Sequence, residues 1–551
     1  MRSRNAALAL TRALVWSAAA SFVPVCLATT PTDRGPAQST LRSAPPVGLE
    51  TPALTSGDGR TDQAELMRFV EQVAQAPHVY LLHAGRSPMG HEIPVLVFTR
   101  GAGPDPDSLL ASGRPTVWVH AQQHGNEPAS CEGALALAAD LAGPSSGLID
   151  AVNVVIVPRA NPDGADRDSR YTSNGLDLNR DSMRQVLTES RLLRHLNLAY
   201  APVLTIDAHE YRPERPVLQP FGVQEMADLM ILGPENLNVP ARLRDLTRDL
   251  LIGQARSDAR AAGLSIDEYT ITRPTLAGMA PHLVLGGADA RIGRNYHGLL
   301  NQASVLLESR GIGLGPRDLA RRTFAQWTVM RSLIATVAEN TEQITTTLAE
   351  IRAETIARGA RADDEDPVFV GVQELQPALR EHRFVDSVSG EVRTLSVAYT
   401  GREQRRPASV RQRPLAYLLG ADQGSAVDAL EALGIRVHRL QAAVKVTAGH
   451  QRVLDTWQES RAVEGVYRRR VRLAIESRLL HTQVGAFLVP MDQPLANLAI
   501  EALEPDGEDS LFCVGLIDGG RGHDLPIYRI TDPGAFAQLR ASYVAGALAQ
   551  R

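Results

Sequence analysis

At 551 residues the chain is long for one domain and comfortable for two or three, and its 44% apolar residues can bury a sizeable core. The formal net charge of −5 gives no general attraction for nucleic acid or an anionic membrane surface. Lys445 is the only lysine, so the positive charge is nearly all arginine, a compositional bias rather than a sign of arginine chemistry.

Residues 1–28 read as a secretory signal peptide. Arg2, Arg4 and Arg12 precede the apolar segment 13–27, and Cys26, Leu27 and Ala28 offer small residues for cleavage ahead of Thr29. Lipid attachment at Cys26 fits poorly, because bulky Val25 stands where a small residue is wanted. No later apolar run is long enough to cross a membrane, so the expected location is periplasmic or secreted. The two remaining cysteines, Cys131 and Cys513, fall in different expected domains and read as buried free thiols. They are too few and too far apart for a cysteine metal site.

Residues 29–62 are rich in Pro, Gly, Ser and Thr and read as a disordered tether. Helical spacing follows from 63 (Leu66, Phe69, Val70, Val73), then strand-like runs at 79–82 and 93–98. A strand at 117–119, a helix near 130–141 and strands at 152–157 and 203–206 continue the alternation. This predicts an α/β domain over 63–360 with a largely parallel sheet, whose ligands gather beyond the carboxyl ends of strands. A long helical pattern starts after the Gly-rich 311–316, with Pro316 as a first-turn residue, and fades near Arg358. The acidic run 363–366 reads as a linker. Beyond it, β-like runs at 368–372, 395–399, 415–419, 470–475 and 486–489 surround a helix at 425–433. Residues 367–551 are therefore expected to form a mainly-β accessory domain, without legible chemistry. The basic stretch 402–413 reads as a solvated loop rather than an anion-binding patch.

The stretch that organises the chain is 116–128, TVWVHAQQHGNEP. A short apolar strand breaks into a polar loop holding His124, Gly125, Asn126 and Glu127. An imidazole and a carboxylate three residues apart converge if the loop turns tightly, and Gly125 eases that turn. Zinc suits such a pair, since it takes nitrogen and oxygen ligands and keeps one position open in catalytic sites. His-x-x-Glu alone is weak evidence. Three further pieces strengthen it: His209 in TIDAHEY (205–211), the Gly/Asn/Asp/Arg-dense loop NPDGADRDSRYTSNGLDLNRD (161–181), and Glu308 in SVLLESRG (304–311). A lone carboxylate at the tip of an apolar strand gains nothing for folding, which favours a chemical role.

Taken together, HGNE, NPDG, R-x-x-x-x-G-x-D-L-N-R, a downstream His and a late Glu resemble the zinc metallocarboxypeptidases, the carboxypeptidase A-like family, over roughly residues 60–350. The resemblance implies a mixed, mostly parallel eight-stranded sheet flanked by helices, with the site at the strand ends. It implies one Zn2+ per chain on His124, Glu127 and His209, with Asp177 orienting the first histidine. By the same match Asn179 and Arg180 hold the substrate's terminal carboxylate, Arg170 faces the scissile carbonyl, and Glu308 is the general base. The implied substrate is a peptide with a free C-terminal carboxylate, attacked by zinc-activated water. Tyr296, with Tyr269 as rival, would be the tyrosine that closes over substrate, although Tyr296 stands only twelve residues before Glu308. Arg167 competes with Arg170. His120 reads as structural, and Asn126, where the pancreatic-type enzymes carry Arg, separates this chain from them. The specificity pocket would lie between residues 286 and 294, where Arg291 and Arg294 would favour an acidic side chain if they are not merely surface arginines. Other readings are a zinc N-acyl amino acid deacylase, which also resembles HGNE plus DLNR, a murein-peptide amidase, or a binding protein that lost catalysis. NPDG, Arg170, the signal and the complete ligand set favour the peptidase.

Overall fold

The computed structural model describes residues 49–543 apart from 277 and 362–365. The expected signal peptide, the first part of the tether and most of the acidic run lie outside these described residues. The rest of the expected tether is not one. Pro52–Ser56 is helical and Ala53 is buried. Thr51 donates its hydroxyl to the buried carboxylate of Glu132, and the Thr61 carbonyl accepts from buried Arg159 at 2.6 Å. Composition alone hides this, because the partners lie far along the chain.

Eight strands form the central sheet: β1 (Val79–Arg86), β2 (Glu92–Phe98), β3 (Thr116–Ala121), β4 (Asn153–Val157), β5 (Leu204–Tyr211), β6 (Leu229–Leu232), β7 (Ile266–Glu268) and β8 (Ala303–Arg310). Their spatial order is β1-β2-β4-β3-β5-β8-β6-β7. The central run β4-β3-β5-β8 is parallel, and antiparallel pairs join it on both sides. Successive side chains of a strand face opposite ways. Val117, Val119, Ala121, Leu204, Ile206, Ala208, Val305 and Leu307 therefore share one face. That face packs on α1 (Gln63–Val73), α2 (Pro128–Ala142), α4 (Gly253–Ala261) and α6 (Leu319–Glu339). The opposite face sets Trp118, Val155 and Val157 against α3 (Thr188–Tyr200). Both sides of the central strands are covered, which is why they read as continuous apolar runs.

The expected single long helix is two, α6 and Thr341–Gly359, broken at Asn340 (φ −119°, ψ 29°). Pro316 precedes the first turn rather than occupying it, and Asp318 enters the helix with left-handed φ. Among the described residues no helix is long and apolar enough to cross a membrane.

The domain boundary expected at 367 does not hold. Strands Ala378–Asp386 and Val392–Thr400 join a five-stranded sheet with Val223–Glu225, Thr270–Arg273 and His282–Leu285, all from the α/β part. One hydrophobic core runs from Val305 and Leu307 through Ile351 and Val368 to Tyr417 and Leu498. A six-stranded sheet from the last third (416–530) packs onto it through the helix Ala496–Leu503. Residues 402–413 are no solvated loop either: Arg405–Gln412 is a strand paired with Pro367–Glu374, and Arg411 is ion-paired to Glu504 and Asp506. Cys131 and Cys513 are free and buried.

Candidate metal centre

Strand register builds the site. In the parallel ladder His120 of β3 lies opposite Asp207 of β5, and Glu308 of β8 lies opposite His209 of β5. Asp207 and His209 are two residues apart and so share a face. His120, Asp207, His209 and Glu308 thus form one row near the carboxyl ends of the parallel strands, on the side of Trp118. The apolar runs end before these residues, but strand pairing carries both β5 and β8 past them. His209 and Glu308 sit inside strands rather than beyond their tips.

His124 and Glu127 reach this row from the β3–α2 loop. The loop leaves the strand through Gln122 at φ +52°, and α2 begins at Pro128, immediately after Glu127. Gly125 packs so closely on the helix of the NPDG segment that a Cβ there would stand 1.9 Å from the Gly164 carbonyl carbon. Only glycine fits.

The outcome is a buried trio. His124 Nδ1 lies 2.7 Å from Glu127 Oε1, His209 Nδ1 lies 2.8 Å from Glu127 Oε2, and the two Nδ1 atoms are 3.1 Å apart. One donor atom from each residue lies within 4.8 Å of the others. Two imidazole nitrogens and a carboxylate converging in a water-poor site fit Zn2+, which with such a donor set keeps net positive charge and leaves a coordination position open. Without the ion a proton fills the electrostatic role. Burial pushes the His209 imidazole down, but Asp207 and Glu127 outweigh it and hold it well above the usual histidine range. Burial lifts the Glu127 carboxyl, yet the two imidazoles bring it to about 2. Metal uptake at such a site releases the proton.

Each histidine is oriented from behind. His124 Nε2 lies 3.2 Å from Asp177 Oδ1, while Asp177 Oδ2 accepts from Arg170 Nε at 3.0 Å and Nη2 at 2.6 Å. His209 Nε2 lies 2.8 Å from Asp207 Oδ1, an acid that the sequence reading missed. Asp207 Oδ1 also accepts from Gln123 Nε2 at 2.7 Å and lies 3.0 Å from His120 Nε2. Trp118 Nε1 donates to His120 Nδ1 at 2.8 Å, which places the His120 proton on Nε2, facing Asp207. His120 is structural, as its strand position implied, but its task is to hold the acid behind a ligand. The Asp-x-His spacing was the available signal, since period two puts both on one face.

Glu308 faces the trio and makes no hydrogen bond among the described residues. Burial lifts its carboxyl to about 7, with Glu127 adding to the rise and His209, His124 and Arg170 opposing it. Arg170 brings Nη1 to 3.2 Å from His124 Nδ1 and stays about one-third exposed. Arg167 donates instead to the Asp163 carbonyl at 3.1 Å. Arg180 donates Nη1 to the Asn179 carbonyl, leaving its other nitrogens open. Asn179 differs from expectation: its Oδ1 accepts from Gly293 N at 3.1 Å and its amide nitrogen lies 2.9 Å from His209 Nε2. The Asn179 side chain is committed inside the protein, so Arg180 supplies the free donors.

Tyr296 is a correction. It lies in α5 (Gly293–Leu299), fully buried, with the Arg194 guanidinium 4.7 Å from its ring centre. A core tyrosine under a buried arginine cannot swing over a substrate. Tyr269 is half-buried, packs beside Tyr211 and Met230, and shares its electrostatic surroundings with Glu308, Arg180 and Arg294. The two pocket arginines also separate. Arg291 is spent on Asp509 at 2.7 Å and on Asp289. Arg294 is buried and donates to the Gly287 carbonyl; among the described residues it has no carboxylate within ion-pair distance and its Nε has no partner.

Residues 66–191 match the zinc carboxypeptidase family. Carboxypeptidase 2 of Trichophyton equinum is 27% identical over 482 residues, covering 86% of this chain and 87% of that protein. Carboxypeptidase 2 of Trichophyton tonsurans is 27% identical over 484 residues, with the same coverage. Among solved structures, a metallo-carboxypeptidase from Pseudomonas aeruginosa aligns with TM-score 0.39 and 21% identity, over 52% of this chain and 70% of that one. One from Burkholderia cenocepacia aligns with TM-score 0.38 and 18% identity, over 50% of this chain and 70% of that one.

Proposed function

We propose that this chain, whose residues 66–191 match the zinc carboxypeptidase family, is an exported enzyme removing the C-terminal residue of peptides, with Glu308 as general base. The observation that carries the reading is the buried His124–Glu127–His209 trio with an unpaired carboxyl, Glu308, facing it from the neighbouring strand. Zinc, when bound there, supplies a Lewis acid that polarises the scissile carbonyl and acidifies water. Glu308 accepts a proton from the attacking water and passes it to the leaving amine, a task suited to a carboxyl lifted toward neutrality. Arg170, anchored on Asp177, presents Nη1 to the developing oxyanion, a contribution of about 3–4 kcal/mol in comparable sites. Arg180 grips the terminal carboxylate and so restricts cleavage to chain ends. Tyr269 lines the same cleft. Export rests on the sequence of residues 1–28 alone.

The side-chain pocket takes an acidic residue in this reading. Gly293 donates to Asn179 beside the carboxylate clamp, which seats Arg294 next to it as a buried cation without an anion. A buried, unpaired charge is costly, and a substrate carboxylate offsets that cost. Digesting a mixed peptide library with the zinc-loaded enzyme tests both levels. Single residues should leave C-termini, Glu and Asp fastest, and Glu308→Gln should lose activity. Arg294→Met should reverse the preference toward apolar residues by about tenfold or more in kcat/KM. Cleavage by Glu308→Gln at the wild-type rate removes that residue from the mechanism. N-acyl amino acids turned over faster than peptides would move the chain to the deacylases. Release of amino acids only from purified murein peptides would narrow it to an amidase.

A further inference from the structure

A cationic cavity whose lining shares no residue with the metal centre lies at the end of β6. Its volume is about 260 Å³, and it is bordered by the end of β6, the helical segment 241–261, Glu268, and Arg402 and Arg405 from the last third of the chain. Glu268 lines this cavity, whereas Tyr269, the next residue, packs beside Tyr211 and Met230.

Five arginines line it (244, 248, 256, 402, 405) against three carboxylates, Glu235, Asp245 and Glu268. The carboxylates are already taken. Arg402 pairs with Glu235 at 2.6 Å and Glu268 at 2.7 Å, and Arg248 pairs with Asp245 at 2.8 Å. Arg405 donates to the backbone carbonyls of Leu285 and Gly286. Arg244 and Arg256 are left, both partly buried, with no ion pair or hydrogen bond among the described residues, and the Arg256 Nε is buried without a partner. Burial draws both guanidinium groups below their usual range, against the opposing pull of Glu235 and Asp245 on Arg244 and of Glu268 and Asp267 on Arg256. A pair of unspent, partly buried guanidinium groups in one cavity gains from an anion with several acceptor oxygens.

We propose that this cavity is a binding site for a small tetrahedral dianion of the phosphate class, held between Arg244 and Arg256. Arg248 is also held by Asp249 at 2.8 Å and Arg405 lies 4.0 Å from Glu374, so the two charges open to a ligand are those of Arg244 and Arg256, which match a dianion. The volume, below the roughly 300–1,000 Å³ of drug-sized ligand pockets, excludes a whole nucleotide. The same chemistry fits free phosphate and the head of a phosphomonoester.

Calorimetric titration of the full zinc-loaded chain with sodium phosphate, at ionic strength fixed with sodium chloride, provides the test. Phosphate should bind and Arg244→Gln/Arg256→Gln should weaken it at least about tenfold, since two charge-assisted contacts are lost. Peptidase activity and melting temperature in chloride should be unchanged. Arg256→Gln alone serves if the double variant fails to fold. Phenyl phosphate binding tighter than inorganic phosphate assigns a monoester, and weaker binding assigns the free ion. No heat beyond the chloride blank overturns the site. Undiminished binding in the arginine variants does so too, because it puts the anion in the catalytic cleft.

Discussion

Asp207 shows how much of a metal site is decided by a residue that never touches the metal. Its Oδ1 collects His209, His120 and Gln123, so the ring of His209 is fixed before any ion arrives. Burial raises this carboxyl, but the charges of His209 and His120 outweigh it and hold it well below the usual range. Asp207→Asn keeps the shape and removes the charge. Zinc affinity, read by chelator competition, should fall about 10–100-fold while far-UV circular dichroism stays unchanged. Affinity within twofold of wild type would make Asp207 a mere spectator. The three residues that converge were legible because HGNE and the later histidine stand in recognisable polar breaks. Tyr296 was misread for the opposite reason: spacing from Glu308 gives no hint that α5 turns this ring into the core beneath Arg194.

Between elements, the decisive contact is loop on loop. The turn that carries His124 and Glu127 lies so close to the helix after β4 that Gly125 touches the Gly164 peptide. Gly125→Ala has no flexible neighbour to displace, only backbone. The two loops must part, and the trio parts with them. Expected is a loss of about 3 kcal/mol or more in urea unfolding of the metal-free protein, together with weakened zinc binding. Wild-type values for both would mean the loops can yield. Strand existence was readable from apolar runs at 93–98, 117–119 and 152–157. Strand length was not, because Asp207, His209 and Glu308 are polar residues kept in strands by hydrogen-bonded neighbours on each side. The break at Asn340 was equally hidden, as the apolar spacing continues across it.

At the scale of the molecule, the last third supports the first two. The hairpin formed by Lys445–Gln458 and Arg469–His481 sends Glu464 back to the DLNR loop, where its carboxylate accepts from the Asp177 backbone N–H at 2.8 Å and its carbonyl from Arg184 at 2.7 Å. Such pairings between residues hundreds apart are why the change of character near 367 does not mark a domain boundary. One seam lies at the half-buried Glu501, to which the Asn236 and Asn238 side chains donate at 3.0 and 2.6 Å. Burial lifts this carboxyl from 4.5 to about 7, with Asp509 and Asp289 adding to the rise and the two asparagines opposing it. A raised native pKa means that the folded chain binds more protons than the unfolded one between about pH 4.5 and 7. Its contribution is therefore complete below about 4.5 and is lost as pH climbs through 7, a swing on the order of 3 kcal/mol. Glu501→Gln keeps an amide oxygen for both asparagines and cannot ionise. The unfolding free energy of wild type minus that of this variant should therefore fall steadily across the window, other titrations cancelling in the difference. A difference that stays flat from acid to neutral pH would show that water or a cation already reaches the carboxylate, and that this part of the seam opens in solution.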